Sequence, residues 1–181
     1  MKQTLTACLL LASAMLFSAH QWNRNRQAAE AESFRTEFLA AWQRSETYTL
    51  DIAGAMPEAD FNYRYCDTVF TFATQFTHCA TFTCGQIAGR TGVKNPYEGR
   101  KLKGLTKTQV LAELKAMYAF VAKTAKELPA DKLYKQEPFA GGEIPLWRLF
   151  YAMENHIIHH RGQAIVYLRL KGIRPTGYVG W

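Results

Sequence analysis

A chain of 181 residues is long enough for one domain with its own hydrophobic core and short for two of ordinary size. Its 48% apolar and 20% charged residues exclude wholesale disorder. The formal net charge of +7 would suit nucleic acid only if it were clustered. The basic residues are instead spread out, and the densest run, 100–107, reads as a solvated loop entering a helix, so no nucleic-acid partner is expected.

At the N-terminus, Lys2 precedes an uncharged run from Leu5 to Phe17, followed by the small residues Ser18 and Ala19. This is the layout of a secretory signal. Residues 1–20 are read as a signal peptide, with an uncleaved N-terminal anchor as the alternative, and the expected location is periplasmic or secreted. The apolar run is shorter than the ~20 residues of a spanning helix, so no stable membrane insertion is expected once the signal is removed. Cleavage would leave Cys66, Cys79 and Cys84, an odd set without C-x-x-C pairing, which reads as three small buried hydrophobes.

The first helix is expected over 31–55, where Phe34, Phe38, Trp42, Tyr48 and Ile52 mark an inward stripe and Pro57 ends the segment. Asp67 is the expected cap of a second helix over 68–88. That segment carries no charge, and a helix without a charged face is normally enclosed by protein. Residues 89–104 form a loop. Thr106 and Gln109 then spell a capping box for a third helix reaching 128, with Val110, Leu114, Met117, Val121 and Leu128 inward and Pro129 beyond. Residues 138–145 are rich in turn formers. Pro145 suits the first turn of a fourth helix that runs to 171, with Gly172 as its C-cap. No segment alternates like a sustained strand. The expected fold is all-α, four helices around one core, with connections too long to guarantee up-down-up-down order.

Leu149, Met153, His156, His160, Ala164 and Tyr167 fall on one inward stripe of the last helix. His156 and His160 are therefore one turn apart on a core-facing surface. His159 points about 100° away from His160, although a His156–His159 pair remains geometrically open. Two neutral imidazoles on an apolar stripe need two separate partners, and two charged ones repel. One metal ion satisfies both. By itself the pair fits a metal site and a structural role equally. His78, midway along the uncharged second helix, tips the balance, because three imidazoles from two facing helices give a site with a position left for water or substrate. Histidine ligation suits zinc, nickel, iron or copper. The zinc-protease motif needs Glu directly after the first histidine of the pair, and Ile157 stands there, so ordinary metalloprotease chemistry is disfavoured. Glu143 and Glu154 read as solvated surface residues.

The run His156–Gln163, H-x-x-H-H-R-G-Q, with Tyr167-Leu168-Arg169 and Gly172-Ile173-x-Pro175, resembles the C-terminal signature of the DinB family, the DinB/YfiT-like metalloenzymes. Met56-Pro57-Glu58, Tyr63, a histidine within the second helix and Gly141-Gly142 fit the same pattern, which covers residues 31–175 of a domain placed at 28–177. The resemblance implies a four-helix bundle with a long crossover, often a homodimer, and a divalent metal on three histidines, mapping to His78, His156 and His160. Zinc or nickel is the leading expectation, with iron or manganese behind. Relatives of this fold include transferases that use low-molecular-weight thiols. The expected function is a metal-dependent hydrolase or thiol-dependent transferase acting on a small molecule. The alternative is a non-catalytic metal-binding or stress-response protein of the cell envelope.

Overall fold

The computed structural model describes residues 2–179, the side chains of residues 2–16 and Ala19 excepted. The signal-peptide reading at 1–20 therefore falls mostly on side chains outside the described set. Among the described residues no helix is long and apolar enough to cross a membrane.

Four long helices build the domain: α1 (Lys2–Ala55), α2 (Phe72–Thr91), α3 (Lys107–Glu127) and α5 (Leu146–Leu170). A short α4 (Ala130–Leu133) and a hairpin of β1 (Gln136–Phe139) and β2 (Gly142–Pro145) separate α3 from α5. Around the core, α1 packs on α3 and α5, and α2 packs on the same two helices. Thus α1 and α2 are diagonal, as are α3 and α5. The segments 56–71 and 128–145 each cross the bundle, giving the long crossover that the sequence resemblance implies.

The expected inward stripes form the core. Phe38, Trp42, Ile52, Leu114, Met117, Leu149 and Tyr167 are all fully buried in one cluster. Phe34, Phe38, Trp42 and Phe150 stack, tilt or meet edge-on at centroid distances of 5.4–5.7 Å, adding specific aromatic contacts to the area buried.

Several boundaries differ from the sequence expectation. Helix α1 begins at Lys2 instead of residue 31. Residues 20–30 are almost wholly exposed, so no apolar stripe announces them. Helix formers such as Gln27, Ala28, Ala29 and Glu30, with an Arg26–Glu30 pair at 3.4 Å, carry the helix instead. The cap of α2 is Thr71, whose hydroxyl accepts from the Thr74 amide at 3.1 Å. Asp67, the expected cap, is paired with Arg64 at 2.8 Å. Helix α2 also runs on to Thr91, so it includes one charge, Arg90, in its last turn, where a cation complements the helix dipole.

The Thr106–Gln109 capping box is present. At the end of α5, Lys171 is the cap and Gly172 follows it with φ +71°. The Gly172 amide donates to the Arg169 carbonyl and the Ile173 amide to the Leu168 carbonyl, a Schellman closure that requires the left-handed backbone at residue 172. Of the cysteines, Cys79 and Cys84 are buried as expected, but Cys66 is exposed, because its loop lies outside the helical core.

The hairpin was not expected. Its strands are four residues each, too short to display alternation. Ala140 and Gly141 form the connection with φ of +51° and +86°, the pattern of a type I′ turn. Alanine in this region costs roughly 1 kcal/mol. Replacing Ala140 by Asn is expected to raise the free energy of unfolding by up to about 1 kcal/mol, read from the urea midpoint at unchanged slope. The hairpin is tied to α2 by Arg90, whose guanidinium donates twice to the Pro138 carbonyl at 2.8 and 3.0 Å.

Candidate metal centre

The diagonal arrangement sets α2 directly against α5, and the facing surfaces meet at three imidazoles. His78 comes from α2, and His156 and His160 from successive turns of α5. One ring nitrogen of each lies within 4.8 Å of the others. His156 Nε2 is 3.3 Å from His78 Nε2 and 3.1 Å from His160 Nε2. The three rings are mutually tilted by 61–71°. They meet edge-on instead of stacking.

These separations bear on whether a metal fits. Two nitrogens bound tetrahedrally to one ion at 2.0–2.1 Å stand about 3.3 Å apart. The two spacings about His156 match that figure, and the third pair lies within 4.8 Å. Without an ion, at least some lone pairs in such a cluster face each other unfavourably. His160 Nδ1 donates to Gln75 Oε1 at 2.6 Å, which commits the proton to Nδ1 and leaves the Nε2 lone pair directed at the cluster. Fixing the tautomer through the second nitrogen is the usual support for a metal-binding histidine. His156 Nδ1 is buried with no protein partner. The donor set of three neutral imidazoles with one position left over fits a divalent transition metal.

His159 is exposed, its ring edge-on to His160 at 5.0 Å, and it takes no part in the cluster. The alternative His156–His159 pairing is thereby set aside. Two phenylalanines flank the site: Phe70 lies beside His78 and His160, and Phe82 packs on His156 at 4.4 Å. Phe70 is positioned by the 61–71 loop, where the Tyr167 hydroxyl donates to the Phe70 carbonyl. His160 is buried, while His78 and His156 are partly exposed and His78 also lines an open cleft.

Gln75, Phe70 and Phe82 were not assigned a role from sequence. Gln75 stands three residues before His78 on α2, and its polarity in an uncharged helix was the available signal. Glu154 was read as a surface residue but is only 6% exposed. It faces α1, near Arg44, Ser45 and Arg161 and away from the histidines. Burial raises its carboxyl pKa, and the Arg161 and Arg44 cations pull it back. Glu143 is exposed on β2. Neither carboxylate stands with the cluster as a general base.

Burial is the first cause that lowers the pKa of all three histidines. Mutual proximity adds to it for His156 and His160, which are both pushed down to about 4. The metal-free protein therefore keeps these rings neutral in the folded state while the unfolded chain protonates them near pH 6.5. Between those values the unfolded state binds more protons, so stability falls as pH falls through the window and is independent of these groups above it. With chelator present, the urea midpoint is expected to drop between pH 7 and pH 5. Saturating metal is expected to add stability at pH 7, where no proton competes for the ligands.

Removing the Gln75 amide should loosen His160 without removing a ligand. Gln75→Leu is expected to weaken metal affinity by about 10–100-fold at unchanged helix content, measured by competition with a chromophoric chelator.

Comparison with known proteins agrees with this architecture. The sequence profile described as the DinB superfamily matches residues 41–164. Two solved structures share the fold: a DinB-like protein from Bacillus cereus ATCC 10987 at 19% identity and a TM-score of 0.67, covering 78% of this chain and 95% of that one; and the DinB-like protein YjoA from Bacillus subtilis at 14% identity and a TM-score of 0.64, covering 78% and 96%. No curated protein matches the chain.

Proposed function

This chain belongs to the DinB superfamily, and from that premise we propose that it is a metal-dependent enzyme, a hydrolase or a thiol-dependent transferase for a small molecule, with His78, His156 and His160 as its ligands and zinc or nickel as its ion. The observation that carries the reading is the convergence of three histidine nitrogens within 4.8 Å, with both spacings about His156 at ligand distance, on a site that is only partly buried. A divalent cation held there by neutral ligands keeps its full charge and supplies Lewis-acid chemistry, acidifying a water or a thiol.

The chain's own residues divide the remaining work. Gln75 orients His160, and Phe70 and Phe82 limit water around the rings. The partial exposure of His78 and His156, with His78 lining a cleft, leaves an approach for substrate. A non-catalytic ion store would be better served by a closed cap, so this approach favours catalysis over the metal-storage alternative.

The test is elemental analysis of the purified protein followed by a screen of ester, amide and thiol-transfer substrates. The reading expects about one ion per chain and at least one turnover that chelator abolishes and added zinc or nickel restores. Stoichiometric metal with no chelator-sensitive turnover across the screen would favour the storage role, and no metal at all would remove the reading. We also propose export to the periplasm or beyond, to be checked by N-terminal sequencing of the mature protein. A homodimer is proposed too, supported by the exposed Ile158, Val166 and Leu170 on α5 and tested by light scattering.

A further inference from the structure

The basic run 100–107, read from sequence as an ordinary solvated loop, has a more definite place in the fold. Residues 100–105 of it line a cleft of about 520 Å³ together with Thr74 and His78 of α2 and Phe70 of the loop before it. His78 and Phe70 are shared between this cleft and the histidine cluster. The cleft is of the size that takes a small molecule.

Three cations line it: Arg100, Lys101 and Lys103. Among the described residues no carboxylate lines it. Arg100 is bound to Glu113 and lies over the Tyr97 ring, so its charge is partly neutralised and its position fixed. Lys101 and Lys103 are exposed and alternate with Leu102, which packs on the core. Gly99 and Gly104, both with left-handed φ near +70°, bend the chain on either side. The two ammonium groups are thus carried on a segment anchored at its middle. A divalent ion on three neutral histidines would add its undiminished charge. Low-dielectric walls lined by one sign of charge focus the field and concentrate counter-ions.

We infer that the cleft beside His78 admits an anionic substrate, a small molecule bearing a carboxylate or phosphate that Lys101 and Lys103 engage while its reacting group approaches the histidine centre. This rests on the reading of the cluster as a metal centre, and it goes further in naming the charge class of the substrate and the residues that select it.

The test uses the full chain loaded with cobalt(II), whose visible absorption reports ligands entering its coordination sphere. Two hydroxamates of matched length serve as probes: succinate monohydroxamate, which carries a carboxylate, and butyrohydroxamate, which does not. The acid is expected to bind at least about tenfold more tightly at low salt, with the preference shrinking toward 0.5 M salt as screening sets in. The double variant Lys101→Gln/Lys103→Gln should lose the preference, bringing the two probes to about equal affinity. Equal affinity for both probes in the parent protein overturns the inference, as does a preference that survives the double variant. In those outcomes the cobalt spectrum still reports an intact centre, so the metal assignment stands. Failure of cobalt to bind would overturn both.

Discussion

Replacing His156 by alanine is expected to abolish stoichiometric metal binding while leaving the bundle folded. His156 is the centre of the cluster: its Nε2 is the one within 3.3 Å of both other histidines. Without it, His78 and His160 remain on separate helices with no third nitrogen between them. The loss should exceed the ~100-fold that removal of an outer-shell partner causes, which puts the ion within reach of dialysis. His156 is also the cleanest of the three to remove. Its Nδ1 has no protein partner, so truncation orphans nothing on that side. His160→Ala should lose metal equally but would leave the buried Gln75 amide oxygen without its donor, adding about 1–3 kcal/mol of instability. His159→Ala should retain one ion per chain, because that ring lies outside the cluster. Elemental analysis after dialysis, with circular dichroism as the check on folding, reads all three. One tightly held ion in His156→Ala would refute the ligand set.

The helix stripes and the histidine juxtaposition were legible in the sequence for the same reason. Spacings of three and four place Met153, His156 and His160 on one line whatever surrounds them, and the absence of charge from 68 to 88 marked α2 as enclosed before any partner was known. What was not legible depends on tertiary context. Thr71 caps α2, while Asp67 lies four residues before that cap in an exposed pair with Arg64. The exposed stretch of α1 before residue 31 is helical through propensity and continuity, which a search for apolar stripes passes over. Ala140 in a type I′ turn contradicts the usual residue preferences, so the hairpin carried no turn signal at its first position. Gln75 could be seen as polar but not as the partner of His160, since that pairing links residues 85 apart in sequence across two helices. Glu154 was misjudged because a carboxylate beside a histidine stripe reads as the solvated face, whereas here that face meets α1.

That same face of α5 yields the second large effect. Arg161 is only 7% exposed, and it directly follows a histidine of the centre. Its Nη1 donates to Ser45 Oγ and Thr49 Oγ1, both at 3.1 Å, and its guanidinium lies 4.5 Å over the Tyr48 ring. Ser45 and Thr49 also bond the Tyr118 hydroxyl at 3.2 and 2.8 Å, and the Trp42 indole donates to the Tyr118 carbonyl at 2.9 Å. One cation therefore joins α5 to α1, and through Tyr118 to α3. Among the described residues no carboxylate is hydrogen-bonded to it, although the Glu154 carboxyl is near enough to feel its charge; two hydroxyls and an aromatic face make the direct contacts, a role suited to the planar guanidinium. Arg161→Ala removes the charge-assisted bonds and the buried stem together, and leaves a void where the helices cross. The expected cost is about 2–4 kcal/mol, seen as a fall in the urea midpoint at unchanged slope. Arg161→Lys should recover only part of it, because the shorter side chain with its compact ammonium gives up the planar stacking over Tyr48. Both variants are expected to hold metal under native conditions, since the three histidines and Gln75 lie between α2 and α5, away from α1. A change below about 0.5 kcal/mol in Arg161→Ala, the range of ordinary surface substitutions, would show that the network contributes nothing to holding α5 in place. Loss of metal at unchanged stability would instead make Arg161 a support of the histidine centre and move the boundary between the two faces of α5.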